Sequence, residues 1–356
     1  MNELVKVRLY GISRHNGSFG RVTSGLREGL GELGLLAGFV PVDDIDDDES
    51  YGGATAEVGL FTGPPSMVTA MASHGVHPHP YAILAPNSEW LPEQLIESML
   101  EYCTIVAPSR WGASVVERHT GQWVEPLLHG VSRQFAPRPR GSCLVGEMAA
   151  LYHQGSFRVL HLSSTDRQRK GTAELIEGWQ QACGRSALGA NPELHLIIDA
   201  PAGTFPAAAG DDTIKFPWRV LNAPAGGMAA IYQQYHLLCQ PSRSEGFGLC
   251  PLEARASGVP VCVTLCTGHG SHMENGELGV VAIGHGPPGP IDDATHPNSV
   301  APTVAPEEIA AALTECYRRW PALAQQAERA APNVSAHWSW AKQTDNWLRK
   351  VQPTWI

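Results

Sequence analysis

Two glutamates stand eight positions apart in "SRSEGFGLCPLEARASGVPV", residues 242–261: Glu245 before a glycine turn and Glu253 after it. Gly246 and Gly248 lack the Cβ atoms that would keep a ligand away from the backbone. The helix that follows begins near Leu249 and stops at Gly258, with Pro260 beyond it. Its first N–H groups attract an anion. Glu253 then lies about 7 Å along the helix at ~1.5 Å per residue, an offset that suits phosphates at the helix mouth and a ribose diol on the carboxylate. A capping Glu245 and a solvated Glu253 satisfy the same spacing, so spacing leaves both readings open.

A second group is "STDRQRKGTAEL", where Arg167, Arg169 and Lys170 crowd the start of another helix. The positive end of a helix dipole disfavours cations by about 0.3–1 kcal/mol each when exposed, so three of them there call for an anion. The chemistry would be a diphosphate clamp, with Lys170 as point charge and one arginine as planar fork. The alternative is a solvated basic loop. A third glycine loop, "SRHNGSFGRVTSG", carries Arg14, His15, Gly20 and Arg21 before a helix. Its spacing departs from G-x-G-x-x-G and no acidic residue of ribose-binding type follows, so a structural turn competes with a ligand loop. The run "DDIDDDES" at 43–50 contains a DxD pattern, but such density without a flanking apolar strand reads as a solvated loop. His74, His77, His79, His269 and His272 show no HExxH spacing. No metal site is expected.

These residues need strands that end where the loops begin. "LVKVRLYGIS", with Val5, Val7 and Leu9 alternating, predicts a strand, and Val22, Leu26, Leu30 and Leu33 fall at helical spacing. The alternation continues with "AEVGLFTG" (strand), "SMVTAMASHG" (helix), "PYAILAP" (strand), "LPEQLIESMLEYC" (helix), "TIVAPS" (strand) and "WGASVVERHTG" (helix). A Pro-, Arg-, Gly- and Ser-rich stretch near 136–142 reads as a linker. It restarts with "FRVLHLSS" (strand), "GTAELIEGWQQAC" (helix), "ELHLIIDA" (strand), "DTIKFPW" (strand or loop), "MAAIYQQY" (helix), "HLLCQPS" (strand), "LCPLEARASG" (helix) and "VPVCVT" (strand). Residues 284–304 read as a surface loop, and "APEEIAAALTECYRRW" and "SAHWSWAKQTDNWLRKV" as the last two helices. This pattern predicts an α/β protein of two doubly wound, Rossmann-like domains facing a cleft, with ligands at the carboxyl ends of the strands.

Composition agrees with that frame. The 356 residues suffice for two cores, and 43% apolar with 17% charged residues is a globular profile. No apolar run is long enough to span a bilayer and the N-terminus lacks a signal-peptide pattern, so the expected location is the cytoplasm. A net charge of −10 argues against whole-surface binding to nucleic acid or anionic lipid, so an anionic partner must be met locally. The eight cysteines form no CxxC pair, and several lie in strand-like runs, which predicts buried free thiols.

The stretch "QPSRSEGFGLCPLEARASGVPVCVT" resembles the E-x7-E signature of the retaining glycosyltransferases of family 4, which have the GT-B fold. "RQRKG" after a strand, "TIVAPSRWGASVVE", "LLHGVSRQFAP", "MAAIYQQYHLLCQPS" and "HWSWAKQTDNWLRKV" are similar to further parts of that family. The resemblance implies an N-terminal acceptor domain over 1–140, a nucleotide-sugar donor domain over 141–335, and a terminal helix over 336–356 that packs back on the first domain. It implies that Glu253 binds the ribose of a nucleoside-diphosphate sugar, and that Gly20, Arg169, Lys170, Gly246, Phe247, Gly248 and Leu249 complete the donor site. Glu245, Lys170 and Arg167 would be catalytic, Glu245 beside the transferred sugar and Lys170 at the leaving diphosphate. Ser164 stands where the family usually has an arginine, which leaves Arg167 or Arg169 as its substitute. Where the family often places a histidine, Pro86, Asn87 and Glu89 stand instead, so the acceptor side (His15, Asn87, Glu89) is atypical.

The implied reaction is retaining, metal-independent transfer from a UDP-sugar to an acceptor hydroxyl, with no cofactor beyond the nucleotide sugar. Arg14, Arg21, Arg133, Arg138 and Arg140 would suit a polyanionic acceptor such as hydroxymethylated DNA or, equally, be surface charges, with a small molecule, lipid or peptide as alternative acceptors. A nucleotide-sugar epimerase of the same fold and a non-catalytic nucleotide-sugar-binding protein are the rival functions.

Overall fold

The structure, a computed structural model, describes residues 5–12, 18–42, 58–63, 67, 81–86, 88–137, 143–164, 167–199, 213–215, 227–274, 276–291 and 299–351. The chain divides into two units, Met1–Ser132 with His337–Ile356, and Arg133–Ala336.

In the first unit, β1 (Val7–Gly11), β2 (Leu36–Pro41), β3 (Val58–Thr62), β4 (Tyr81–Ile83) and β5 (Thr104–Val106) form a parallel sheet in the order β2-β1-β3-β4-β5. Helices α1 (Ser18–Glu32) and α2 (Glu93–Tyr102) cross over between strands, and α3 (Arg110–Thr120) follows β5. Tyr10, Phe61, Ala82, Met99, Ile105 and Val116 build its core. Ser109 caps α3 by accepting the Gly112 N–H at 3.0 Å, and Gly121 closes it in the left-handed region. The sequence pattern did not predict β2. It is an edge strand with only Val40 fully buried, so the apolar alternation that marks a strand is missing from it. The acidic run 43–50, the helix expected in "SMVTAMASHG" apart from Met67, and His74, His77 and His79 lie outside the described residues.

α1 carries a notch. A Cβ on Gly25 would fall 2.0 Å from the Trp340 ring, and one on Gly29 2.7 Å from the Trp340 backbone. Gly130 meets the same residue at 2.6 Å. A glycine inside a helix costs about 1 kcal/mol relative to alanine. Here two of them let α10 (Trp340–Val351) lie against α1, with Trp340 and Trp347 buried.

In the second unit, β6 (Ser156–Ser164), β7 (Asn191–Asp199), β8 (Ile214–Lys215), β9 (Leu237–Gln240), β10 (Val261–Thr264) and β11 (Val280–Ile283) form a parallel sheet in the order β11-β10-β9-β6-β7-β8. Helices α4 (Cys143–His153), α5 (Arg167–Lys170), α6 (Thr172–Gly184), α7 (Gly227–Tyr232), α8 (Leu249–Ala256) and α9 (Pro306–His337) complete it. The strand order runs one way from β6 through β7 to β8 and the other way from β9 to β11. The turning point between β6 and β9 is where such sheets open a ligand crevice.

Two expectations need correction. Residues 284–304 are not a plain surface loop: β12 (Pro288–Pro290) and β13 (Val300–Pro302) form an antiparallel pair. The Arg243 guanidinium staples it, donating to Pro302 O, Gly289 O and Pro290 O at 2.9, 3.0 and 2.9 Å. The helix from Pro306 does not stop at Trp320. It continues through Pro321 and Pro332 to His337, because Leu323, Ala327, Ala331 and Val334 prolong its buried stripe, and the terminal helix starts at Trp340. Seven described cysteines are free, five of them buried.

Candidate functional site

The site grows from the two loops at the turning point of the second sheet. After β6 the chain reaches α5, which holds Arg167, Gln168, Arg169 and Lys170, and after β9 it forms the turn from Pro241 to Gly248. The strands are joined beneath these loops by a side chain. The Gln240 carboxamide accepts the Leu162 N–H at 3.0 Å and donates to Leu162 O at 3.1 Å, extending the ladder where the backbone pairing of β6 and β9 ends. The loops then bond directly, the Arg243 N–H donating to Arg169 O at 2.7 Å. Gly171, at φ +64°, precedes α6 at this contact. A Cβ there would sit 2.2 Å from Pro241 O, so only glycine fits.

Under the contact lies a directed chain of hydrogen bonds. His161 Nδ1 is 3.0 Å from Cys239 O, a carbonyl that can only accept, so Nδ1 carries the hydrogen and Nε2 accepts from Thr172 Oγ1 at 3.0 Å. Thr172 Oγ1 in turn accepts from Ser163 Oγ at 2.8 Å. Burial lowers His161 to about 4 and keeps it neutral.

Glu245 is the convergence point. Lys170 Nζ donates to Oε1 at 2.5 Å, Arg169 Nη1 to Oε2 at 3.2 Å, and Ser242 Oγ to Oε1 at 2.8 Å. Arg169 Nη1 also reaches Ser244 O at 2.9 Å. The side chains of Arg169, Lys170 and Glu245 are only 12, 14 and 10% exposed. Burial acts to raise the Glu245 carboxyl, but Lys170 and then Arg169 outweigh it and hold the group well below the usual carboxylate range. The basic residues at α5 are therefore not a solvated loop. Arg167 contributes backbone to α5, and its side chain, like that of Ser164, is outside the described part.

Gly246, Phe247 and Gly248 follow, with Gly248 at φ +91° as the residue before α8. No side chain caps this helix, so Glu245 is not its cap. Glu253, the fifth residue of α8, is 4% exposed and accepts from the Tyr232 hydroxyl at 2.7 Å, which removes the solvated-charge reading. Leu249 opens α8 and is buried with Phe247, whose ring lies 4.5 Å from that of His272. Behind the turn runs a 3-10 segment, Thr267–Ser271. Thr267 Oγ1 accepts the Glu245 N–H at 2.9 Å, and His272 Nε2 donates to Phe247 O at 2.9 Å.

The structure thus brings together Arg169, Lys170, Glu245, Gly246, Phe247 and Gly248, with Leu249 and Glu253 along α8. Gly20 lies in the first turns of α1 and not in a loop, since α1 begins at Ser18. Glu89 is tied up in its own unit: its carboxylate accepts from Trp111 Nε1 at 2.9 Å and pairs with Arg118. His15, Asn87, Arg14, Arg138 and Arg140 lie outside the described residues. Sequence reasoning did not single out Gln240, Ser242, Tyr232 or Thr267. Gln240, Ser242 and Tyr232 sit inside quoted stretches, but none of the four carries a signal of its own.

A family model described as Family 4 Glycosyltransferase in conflict systems matches residues 118–346. Among curated proteins, the D-inositol 3-phosphate glycosyltransferase of Arthrobacter sp. is 35% identical over 158 residues, 42% of this chain and 34% of that protein. The same-named protein of Kribbella flavida is 34% identical over 96 residues, 27% of this chain and 20% of that one. The chain thus matches about a third or less of the length of these relatives. Among solved structures, Anabaena HepE in complex with UDP and glucose superposes with a TM-score of 0.69 at 12% identity, covering 98% of this chain and 100% of that one. WaaG, a glycosyltransferase involved in lipopolysaccharide biosynthesis, gives 0.63 at 14% identity over 96% and 99% of the two chains. Both likenesses concern the fold.

Proposed function

Because the chain belongs to the family 4 glycosyltransferases of conflict systems and has the GT-B fold, we propose that it moves a sugar from a UDP-sugar to an acceptor hydroxyl with retention and without a metal. One observation carries this reading: two nearly buried cations, Lys170 and Arg169, converge on one carboxylate at the mouth of a glycine turn. With Glu245 they leave one surplus positive charge, and a diphosphate is the ligand whose charge and oxygen geometry suit them. Lys170 and Arg169 carry charge that a metal ion would otherwise bring to the diphosphate, which supports transfer without a metal. Glu253, about 7 Å along α8, would take the ribose; Tyr232 holds one of its oxygens, which supports that role. HepE, a protein of the same fold, binds UDP and glucose, which supports uracil as the base.

In the reaction the bond from the anomeric carbon to the diphosphate breaks, and Lys170 and Arg169 hold the charge that develops on the departing oxygen. The acceptor hydroxyl forms the new bond on that same face. There the departing phosphate oxygen is the nearest base for the hydroxyl proton. The site contributes positioning and charge, with no covalent intermediate.

The test is a thermal-shift panel of UDP-, GDP- and ADP-sugars, followed by mass spectrometry of candidate acceptors with the stabilising donor. UDP-sugars are expected to stabilise the protein, and Lys170→Ala and Glu253→Ala to lose that stabilisation and turnover. Wild-type binding and turnover in both variants would overturn the assignment. Conversion of the donor without an acceptor would mark an epimerase, and binding without transfer or hydrolysis a non-catalytic binder.

A further inference from the structure

His269 has no part in the reaction as described, yet it stands against the same turn. It is 1% exposed, and its Nε2 is buried with no hydrogen-bond partner. Nδ1 lies 2.9 Å from Thr264 O. A carbonyl only accepts, so Nδ1 bears the hydrogen and, in the neutral ring, Nε2 offers a bare lone pair. The ring edge faces Gly248: a Cβ there would fall 2.2 Å from His269 Cδ2 and 2.5 Å from Nε2. Gly268 brings the segment equally close to the other side of the turn, where a Cβ would meet Glu245 O at 2.4 Å. Leaving a buried polar atom unpaired is costly, and such atoms in a native fold call for an explanation.

We propose that His269 is a proton-linked positioning residue of the donor site: neutral while the site is empty, it takes up a proton when a nucleoside diphosphate binds and becomes the counter-charge of Glu245. This rests on the donor-site reading above. The charged and titratable groups around the ring are Glu245 from the turn, Lys170 and Arg169 from α5, and His272 from its own segment, with Arg255 of α8 acting on His272. Burial lowers His269 first; Glu245 opposes this, and Lys170 and Arg169 add to the lowering. A diphosphate draws both cations to its own oxygens. Glu245, still buried, then loses the partners that keep it ionised, and His269 is the basic group left beside it.

Over the three groups that meet at Glu245, the charges balance with that proton. Lys170, Arg169 and Glu245 sum to +1 in the empty site, a bound diphosphate diester of charge −2 takes the sum to −1, and one proton on Nε2 returns it to zero. The proton comes from solvent, and no bond of the donor is altered by this step.

Calorimetry with UDP-glucose and UDP-N-acetylglucosamine tests it, since neither carries a phosphate that titrates near neutrality. Titrations in two buffers of different ionisation enthalpy read the protons taken up. Wild-type protein is expected to take up a substantial fraction of one proton, with affinity rising about three- to tenfold from about pH 8 to about 6.5. His269→Asn keeps a donor for Thr264 O but cannot titrate there. It should still bind, with no proton uptake and affinity changing less than about twofold over that range. His269→Gln serves as the second variant if the first does not fold. Wild-type binding without proton uptake overturns the proposal by itself, whatever the variants do, and so does undiminished uptake in either variant. Failure of both sugars to bind wild-type protein would overturn the donor-site reading and this inference with it.

Discussion

Two carboxylates show what burial does to a charge pair. Glu89, in the first unit, meets Arg118 and Trp111 with its side chain 41% exposed and that of Arg118 52% exposed. Glu245, in the second, meets Lys170 and Arg169 with every partner below 15%. Glu89 joins a loop to the first and last turns of α3, and Glu245 joins its turn to α5. In water an ion pair contributes about 0–1 kcal/mol and can be lost unnoticed. Out of water, removing one partner strands the other charge. The second arrangement is thus both fragile and poised: an incoming anion can take over its cations.

The largest expected effect comes from Lys170→Ala, which should lower kcat by about 10²–10³-fold and also lower the melting temperature, because Glu245 stays buried with only Arg169 and Ser242. Adding Glu245→Gln should restore melting and leave turnover low; a double variant that regains neither would break the contrast at its buried end. Next, Gly248→Ala must fit a Cβ 2.2 Å from the His269 ring at φ +91°. It should lose donor binding by thermal shift more completely than Gly31→Ala, a helix position with open space around it.

A smaller effect is expected from Tyr232→Phe. Removing a hydrogen bond to a carboxylate is worth about 1.5–3 kcal/mol, so KM for a UDP-sugar should rise about tenfold or more with kcat little changed. Discrimination between ribose and 2′-deoxyribose donors should fall, which loss of packing alone would not cause.

The pH dependence of the buried cluster has a definite sign. The folded Glu245 carboxyl lies below its ordinary 4.5. Its contribution to stability is therefore complete above that value and is lost as pH falls through the acid range below it. The stability difference between wild type and Glu245→Gln should be level from neutral pH to about 5 and shrink below about 4.5. A difference that already changes at pH 6 would show that Glu245 is not held low. The smallest effect is that of Glu89→Gln: less than about 1 kcal/mol, and removed by about 1 M salt. If it matched Lys170→Ala, exposure would not be what separates the two sites.

Strand and helix alternation was legible because both sheets are parallel and their buried strands are short apolar runs between helical periods. "HLLCQPS" and "VPVCVT" became β9 and β10, buried at every position. Where burial is partial the signal failed, as at β2, and the two-residue β8 stood only as strand or loop. The hairpin of β12 and β13 was invisible because its fold depends on Arg243, about 50 residues away in sequence, and local patterns carry no trace of such a partner. In the site, Glu245, Lys170 and Arg169 drew attention by type and place. Tyr232, Thr267 and His269 did not, since a tyrosine, a threonine and a histidine in such runs are ordinary.

By itself, the sequence determined the alternation of elements, the glycine turn at 246–248, and the improbable gathering of cations at a helix start. Those are consequences of local sterics and local dipoles. The tertiary structure alone decided that the cations face Glu245, that Glu253 is buried against Tyr232, and that His269 presses a bare Nε2 against Gly248. Each of these depends on which strands lie side by side at the turning point of the sheet. That order is set by burial across the whole unit, and it determines which charges leave water together.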